Sequence, residues 1–219
     1  MSYKPIDYST WDFSGKGKNI TTLLTPIENE TWKKALPFQD KRDDKGHAEV
    51  VTYFALKLLE QIKTKREIVV PSAILHDTGW SQMSKNELEL FRDENWKRYE
   101  QVLRARHQEE GVKVAKEVLT KLDYVEEEQE EVLEIISQHD TRKGFLSLED
   151  GIVRDADKLW RFSLSEVIAV KNRWGMSFDE WKAGKKELTE KEGFFYSDFA
   201  RQIARIELEN TLESYEIMK

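Results

Sequence analysis

The chain has no cysteine among its 219 residues. That excludes disulfides, thiolate metal sites and cysteine nucleophiles, so any metal must be held by histidine and carboxylate. Proline and glycine are scarce, at 4 and 10, and alternating Val/Ile/Thr-rich runs are few. Helical periodicity therefore dominates over strand and turn signals. No window approaches 18 consecutive apolar residues, so no membrane span is expected. The segment MSYKPIDYSTWDF lacks an apolar run behind its basic residue, so a signal peptide is not expected and the default location is cytoplasmic. A basic excess is missing too, since Lys+Arg 35 against Asp+Glu 42 gives a net charge of -7. General nucleic-acid binding needs a concentrated basic face, although a local basic pocket for one small phosphorylated ligand stays open.

Apolar material at helical spacing is plentiful. Hydrophobic residues make up 39% and include 7 Trp and 10 Phe, enough for a substantial core in one all-α domain. The spacing predicts a helix over roughly 28–36, another from His47 to about Lys63, and a short one, PSAILHDTG, opened by Pro71 and capped near Gly79. Further helices are expected over about 95–122, about 126–139, from near Asp150 toward Trp174, and near 197–215. SGKGKN at 14–19 and RKGF at 142–145 read as loops; SGKGK lacks the spacing and preceding strand of a phosphate loop. The acidic run VEEEQEE at 125–131 reads as solvated first turns of a helix. The expected organisation is an irregular segment over 1–26, a helical domain over 27–174, and a helical C-terminal extension over 175–219 packed on it. The aromatic stretch from Trp174 to Phe199 reads as core beneath that extension, with a substrate-pocket wall or a homodimer contact as alternatives.

The four histidines, His47, His76, His107 and His139, fall on four different predicted helices at intervals of 29, 31 and 32 residues. Each lies on or beside an apolar face. His139 follows Val132, Ile135 and Ile136 at spacings that stack on one side of a helix, and His47 precedes Val50, Val51 and Phe54 in the same way. One such histidine is ordinarily a hydrogen-bonded core residue. Four directed at a shared interior call for a common cause, and a metal is the simplest. His76-Asp77 ends the apolar run VVPSAIL, where an ionised Asp costs several kcal/mol unless it is paired or metal-bound; capping the Thr78-Gly79 turn is its plainer role. In RDADKLWRF, Asp157 lies about 80° from the centre of the apolar face and Asp155 about 120°. Asp157 is therefore the better ligand, and Asp155 is expected to orient a histidine or face solvent.

The ordered pattern His47…His76-Asp77…His107…His139…Asp157, within GHAEVVTYFALKLL, VPSAILHDTGW and RDADKLWRF, resembles the HD-domain superfamily of metal-dependent phosphohydrolases over about residues 40–165. RHQEEGVKVAKEVL and EVLEIISQHD look like the members that supply two further histidines. The resemblance implies an all-α bundle of five or more helices binding one or two divalent ions (Mn, Fe, Ni, Co, Mg or Zn). Its core ligands would be His47, His76, Asp77 and Asp157, with His107 and His139 taking a second ion bridged by Asp77, the residue on which catalysis would depend. Where some members place Lys or Glu after the doublet, this sequence has Thr78, Gly79, Trp80 and Ser81. Such a site would hydrolyse a phosphate ester of a small molecule or nucleotide through a metal-activated water. Lys45, Arg142, Lys143 and Lys158, each within a few residues of a proposed ligand, are the candidate phosphate-binding cations. Two readings compete: a di-iron oxygenase with the same His/Asp ligands, and a helical scaffold with a closed structural metal site.

Overall fold

The computed structural model describes residues 3–42, 44–90 and 96–218. Regular structure among them is all helical, without strands. In chain order the helices are α1 (Pro26–Ala35), α2 (His47–Gln61), α3 (Arg66–Leu75), α4 (Lys85–Glu89), α5 (Glu100–Thr120), α6 (Glu126–Gln138), α7 (Leu148–Trp160), α8 (Leu164–Trp174), α9 (Phe178–Lys182), α10 (Lys185–Glu190) and α11 (Asp198–Met218). Helices α2, α3, α5, α6 and α7 form the bundle that carries the histidines. Its interior is filled by fully buried Val50, Phe54, Ile68, Leu75, Ile136 and Ile152, each contributing roughly 1.5–3 kcal/mol through burial.

Two helices differ from their expected extents for physical reasons. α3 begins at Arg66, so Pro71 lies inside it and does not open it. The missing N–H costs a single backbone bond, to Glu67. Complete burial of Ile68, Val69 and Val70 on the turn before it outweighs that loss. The long helix expected after Asp150 is two helices, α7 and α8, separated at Arg161–Ser163. The Ser163 hydroxyl accepts the Glu166 N–H at 3.3 Å and caps α8, the usual role of serine at a helix start. The expected start of α5 at 95 lies outside the described residues; the helix itself runs from Glu100.

The N-terminal segment is irregular but not peripheral. Ile6, Tyr8 and Ile20 are core residues. Glu207 on α11, fully buried, accepts the Tyr3 hydroxyl at 2.5 Å, the Ile6 N–H at 2.7 Å and the Tyr8 hydroxyl at 3.0 Å. The Tyr8 oxygen in turn accepts the Leu164 N–H at 3.1 Å. This clasp joins the start of the chain to α8 and α11. Tyr8→Phe leaves the Leu164 N–H unsatisfied and should cost about 1–2 kcal/mol. Thermal unfolding should then shift down by a few degrees; an unchanged melting temperature would show the clasp to be ornamental.

The aromatic stretch is divided. Trp181 and Phe195 are buried, as expected, whereas Trp174 and Tyr196 stay exposed. Among the described residues, no helix is long and apolar enough to cross a membrane.

Candidate metal centre

The bundle brings all four histidines and two aspartates to one point, each delivered by a different local device. His47 opens α2 behind Gly46, whose φ of 83° suits glycine. His76 sits at the C-terminal end of α3, with Asp77 one residue later. His107 lies within α5, His139 follows α6, and Asp157 lies near the end of α7. All four histidines are buried.

The side chains form two groups. In the first, His47 Nε2 lies 3.0 Å from His76 Nε2, 3.3 Å from Asp77 Oδ2 and 3.3 Å from Asp157 Oδ1. His76 Nε2 is 3.7 Å from each of the same oxygens. In the second, His107 Nε2 and His139 Nε2 are 3.3 Å apart, and 3.5 and 3.4 Å from Asp77 Oδ1. Asp77 is thus shared, with one carboxylate oxygen turned to each histidine pair. It is not a cap of the Thr78 turn, because its side chain makes no capping bond. Its remaining partners are Arg42, which donates to Oδ2 at 2.6 Å, and the Trp80 indole N–H, which donates to Oδ1 at 3.1 Å.

These residues fit metal ions. His76, His107 and His139 turn Nδ1 to the carbonyls of Ala73, Leu103 and Ile136, at 2.9, 3.3 and 2.9 Å. Such bonds place the proton on Nδ1 and leave Nε2 as the lone-pair donor. The Nε2 lone pairs of His107 and His139 converge at 3.3 Å, and His47 Nε2 stands 3.0 Å from that of His76; with two carboxylates beside them, a cation is the natural occupant. The electrostatics agree. Burial opposes the charge on His47, yet Asp157 and Asp77 push its pKa up to about 10, and Asp77 and Asp140 similarly take His139 to about 9. Burial also works against ionised Asp77, but Arg42 and His76 hold its carboxyl well below the usual range. The pocket is strongly attractive to positive charge, and divalent ions bound there would displace protons. Two groupings, His47–His76–Asp77 and Asp77–His107–His139, each place their donor atoms close enough to hold one ion.

The neighbouring residues hold this geometry. Trp80 stacks on the His107 ring at 4.1 Å, and the Arg42 guanidinium lies 4.4 Å from the Trp80 ring centre. Trp160 meets His47 edge-on at 4.6 Å. Asp155, expected to orient a histidine or face solvent, does neither. It is fully buried and accepts the Tyr196 and Ser197 N–H groups at 2.7 and 2.9 Å, fastening the segment before α11. Lying on the side of α7 away from the histidines, it meets the C-terminal helices.

Two adjoining cavities open on the site. One, of about 200 Å³, is lined by Arg42, His47, Asp77, Asp157 and Trp160; the other, of about 700 Å³, by Arg104, His139, Asp140, Lys158 and Arg161. Of the four cations expected to meet phosphate, Lys158 lines the larger cavity. Arg142 instead donates to Glu134 on α6 at 2.5 Å, and Lys45 and Lys143 project into solvent, lining neither cavity. Arg42, Arg104, Arg161 and Asp140 were not foreseen. Arg104 stands one helical turn before His107 and Arg161 one turn after Asp157, a spacing that could have disclosed both. Asp140 repeats the His-Asp doublet at 139–140. Arg42, in the charged run KRDDK, carries no such signal.

The family model described as HD domain matches residues 45–161, a span containing all four histidines, Asp77 and Asp157. No curated protein and no solved structure matches the chain. With that span covering more than half of the sequence, and the all-helical bundle around it, the chain belongs to the HD-domain superfamily of metal-dependent phosphohydrolases.

Proposed function

We propose that this protein hydrolyses a phosphate ester of a small molecule or nucleotide, using one or two divalent ions. The observation that carries the reading is the placement of Asp77, shared between two histidine pairs and lining an arginine-bearing cavity that adjoins a second one. A divalent ion bound there supplies a water acidified toward neutral pH and a Lewis acid for the phosphoryl oxygens. The chain's own residues do the rest. Asp77 and Asp157 fix the charge of the pocket, and Trp160 walls it. Arg104, Arg161 and Lys158 stand where a phosphoryl group entering the larger cavity would meet them. In the overall reaction the water oxygen bonds to phosphorus, and the ester oxygen leaves with its electron pair and takes up a proton.

The test is a panel of phosphorylated metabolites assayed with Mn, Co, Ni, Mg, Fe and Zn. Phosphate release should appear with at least one pairing, vanish on chelation and return with the metal. Lys158 is half-buried, and its ammonium faces the Phe145 and Phe194 rings at 5.4 and 5.5 Å. Lys158→Ala should therefore raise KM roughly tenfold, the loss of one charge-assisted contact, with little change in kcat. No release from any ester, together with two bound irons and oxygen uptake, would favour the di-iron oxygenase instead.

A further inference from the structure

We propose that Asp140 is a metal ligand of the second site, the counterpart there of Asp157 in the first. The inference extends the metal-dependent reading above, and it rests on a repetition in the chain. His76-Asp77 and His139-Asp140 are both His-Asp doublets, and both histidines cap the C-terminal end of a helix. Each turns Nδ1 onto the carbonyl three residues earlier at 2.9 Å, so each presents Nε2 to the cluster in the same way.

Asp140 then stands to the second histidine pair as Asp157 stands to the first. Asp157 Oδ1 lies 3.3 and 3.7 Å from the Nε2 atoms of His47 and His76. Asp140 Oδ2 lies 3.5 and 3.9 Å from those of His107 and His139. Its other oxygen is held by Arg104 Nη1 at 2.5 Å, and its backbone N–H donates to buried Gln108 Oε1 at 3.0 Å. Arg104 and Gln108 flank His107 on α5, so the residues that fix Asp140 also fix its proposed co-ligand. The oxygen left free is the one that faces the histidines.

Each ion would thus meet two imidazoles and two carboxylates, with Asp77 common to both. Three carboxylates against two divalent ions leave one net positive charge, which suits an anionic substrate. A set without Asp140 leaves two, on a pocket already rimmed by arginines. An ion pair with Arg104 alone would explain Oδ1 but not the direction of Oδ2.

The experiment is metal binding to the full chain, by calorimetry with Mn²⁺ and elemental analysis after desalting, and by electron paramagnetic resonance of the manganese pair. Wild type should bind two ions per chain with a spin-coupled signal. Asp140→Asn keeps the shape and the backbone bond to Gln108. It should retain one ion, weaken the second at least tenfold, and convert the spectrum to that of isolated manganese. Arg104→Gln, which removes the ion-pair partner but leaves the carboxylate, should keep both ions.

Two equivalents at unchanged affinity in Asp140→Asn would overturn the proposal. So would equal loss of the second ion in both variants, since Asp140 would then act through Arg104, and so would a wild type that takes up only one ion. The functional reading fails separately, if the doubly loaded protein releases phosphate from no ester.

Discussion

Asp77→Ala should reduce turnover by at least about a thousandfold, while the folded protein persists. The chemical part follows from position. Asp77 is the carboxylate shared by the two histidine pairs, so on the proposed reading its removal would take a ligand from each ion site at once. Metal polarisation and water activation are together worth several kcal/mol of barrier, and each 1.36 kcal/mol is tenfold in rate. The structural part follows from what remains. Arg42 loses one partner but still donates from Nε to Asp44 Oδ2 at 3.0 Å, so no buried guanidinium is left alone. Leu75, Ile136 and Ile152 around the site keep their packing. Helical circular dichroism should be unchanged, and the melting temperature of the metal-free protein should move by only a few degrees. Full activity in this variant would remove the central residue of the proposed mechanism.

The convergence of the His/Asp cluster was legible because its members are rare residues at helical spacing. Four histidines in 219 residues, each beside an apolar face, leave few arrangements other than convergence. Asp157 could be preferred over Asp155 because a helix wheel assigns directions, and the two side chains do go to opposite sides of α7. The cations were less legible, for the same geometric reason. Nearness in sequence selected Lys45, Arg142 and Lys143. Past a helix end the chain turns away, and Arg142 is drawn to the acidic α6 while the two lysines stay in solvent. Arg104 and Arg161 lie one helical turn from a ligand and do reach the cavity. Arg42 reaches Asp77 from 35 residues away through a turn whose path no local pattern encodes. Helix boundaries failed where tertiary packing overrode a local signal, as with Pro71 inside α3, or where a real signal was hidden in a continuous pattern, as with Ser163 before α8.

Gly79→Ala should be the most damaging single-methyl change in the site, although the residue was expected only to end a helix. Gly79 lies in the Thr78–Gln82 turn and is not among the glycines with positive φ, so its role is not conformational. Its role is contact. A Cβ there would lie 1.8 Å from the His107 carbonyl oxygen and 2.4 Å from the Gly111 nitrogen. Both are backbone atoms of α5, which cannot rotate aside, so either α5 or the His76–Asp77 segment must move. Overpacking of this kind costs about 3 kcal/mol, or roughly 6–12 °C in melting temperature for a chain of this size. The same shift separates His107 from Asp77 Oδ1, so affinity for an ion held as proposed by Asp77, His107 and His139 should fall together with stability. Gly111, on the facing side of that contact, is the control. A Cβ on Gly111 meets its nearest neighbours at 3.4 Å, an ordinary distance. Alanine is also favoured over glycine within a helix by about 0.5–1 kcal/mol, so Gly111→Ala should be near neutral. If Gly79→Ala melts with wild type and takes up metal as wild type does, the approach of the His-Asp turn to α5 does not set the spacing of the two histidine pairs.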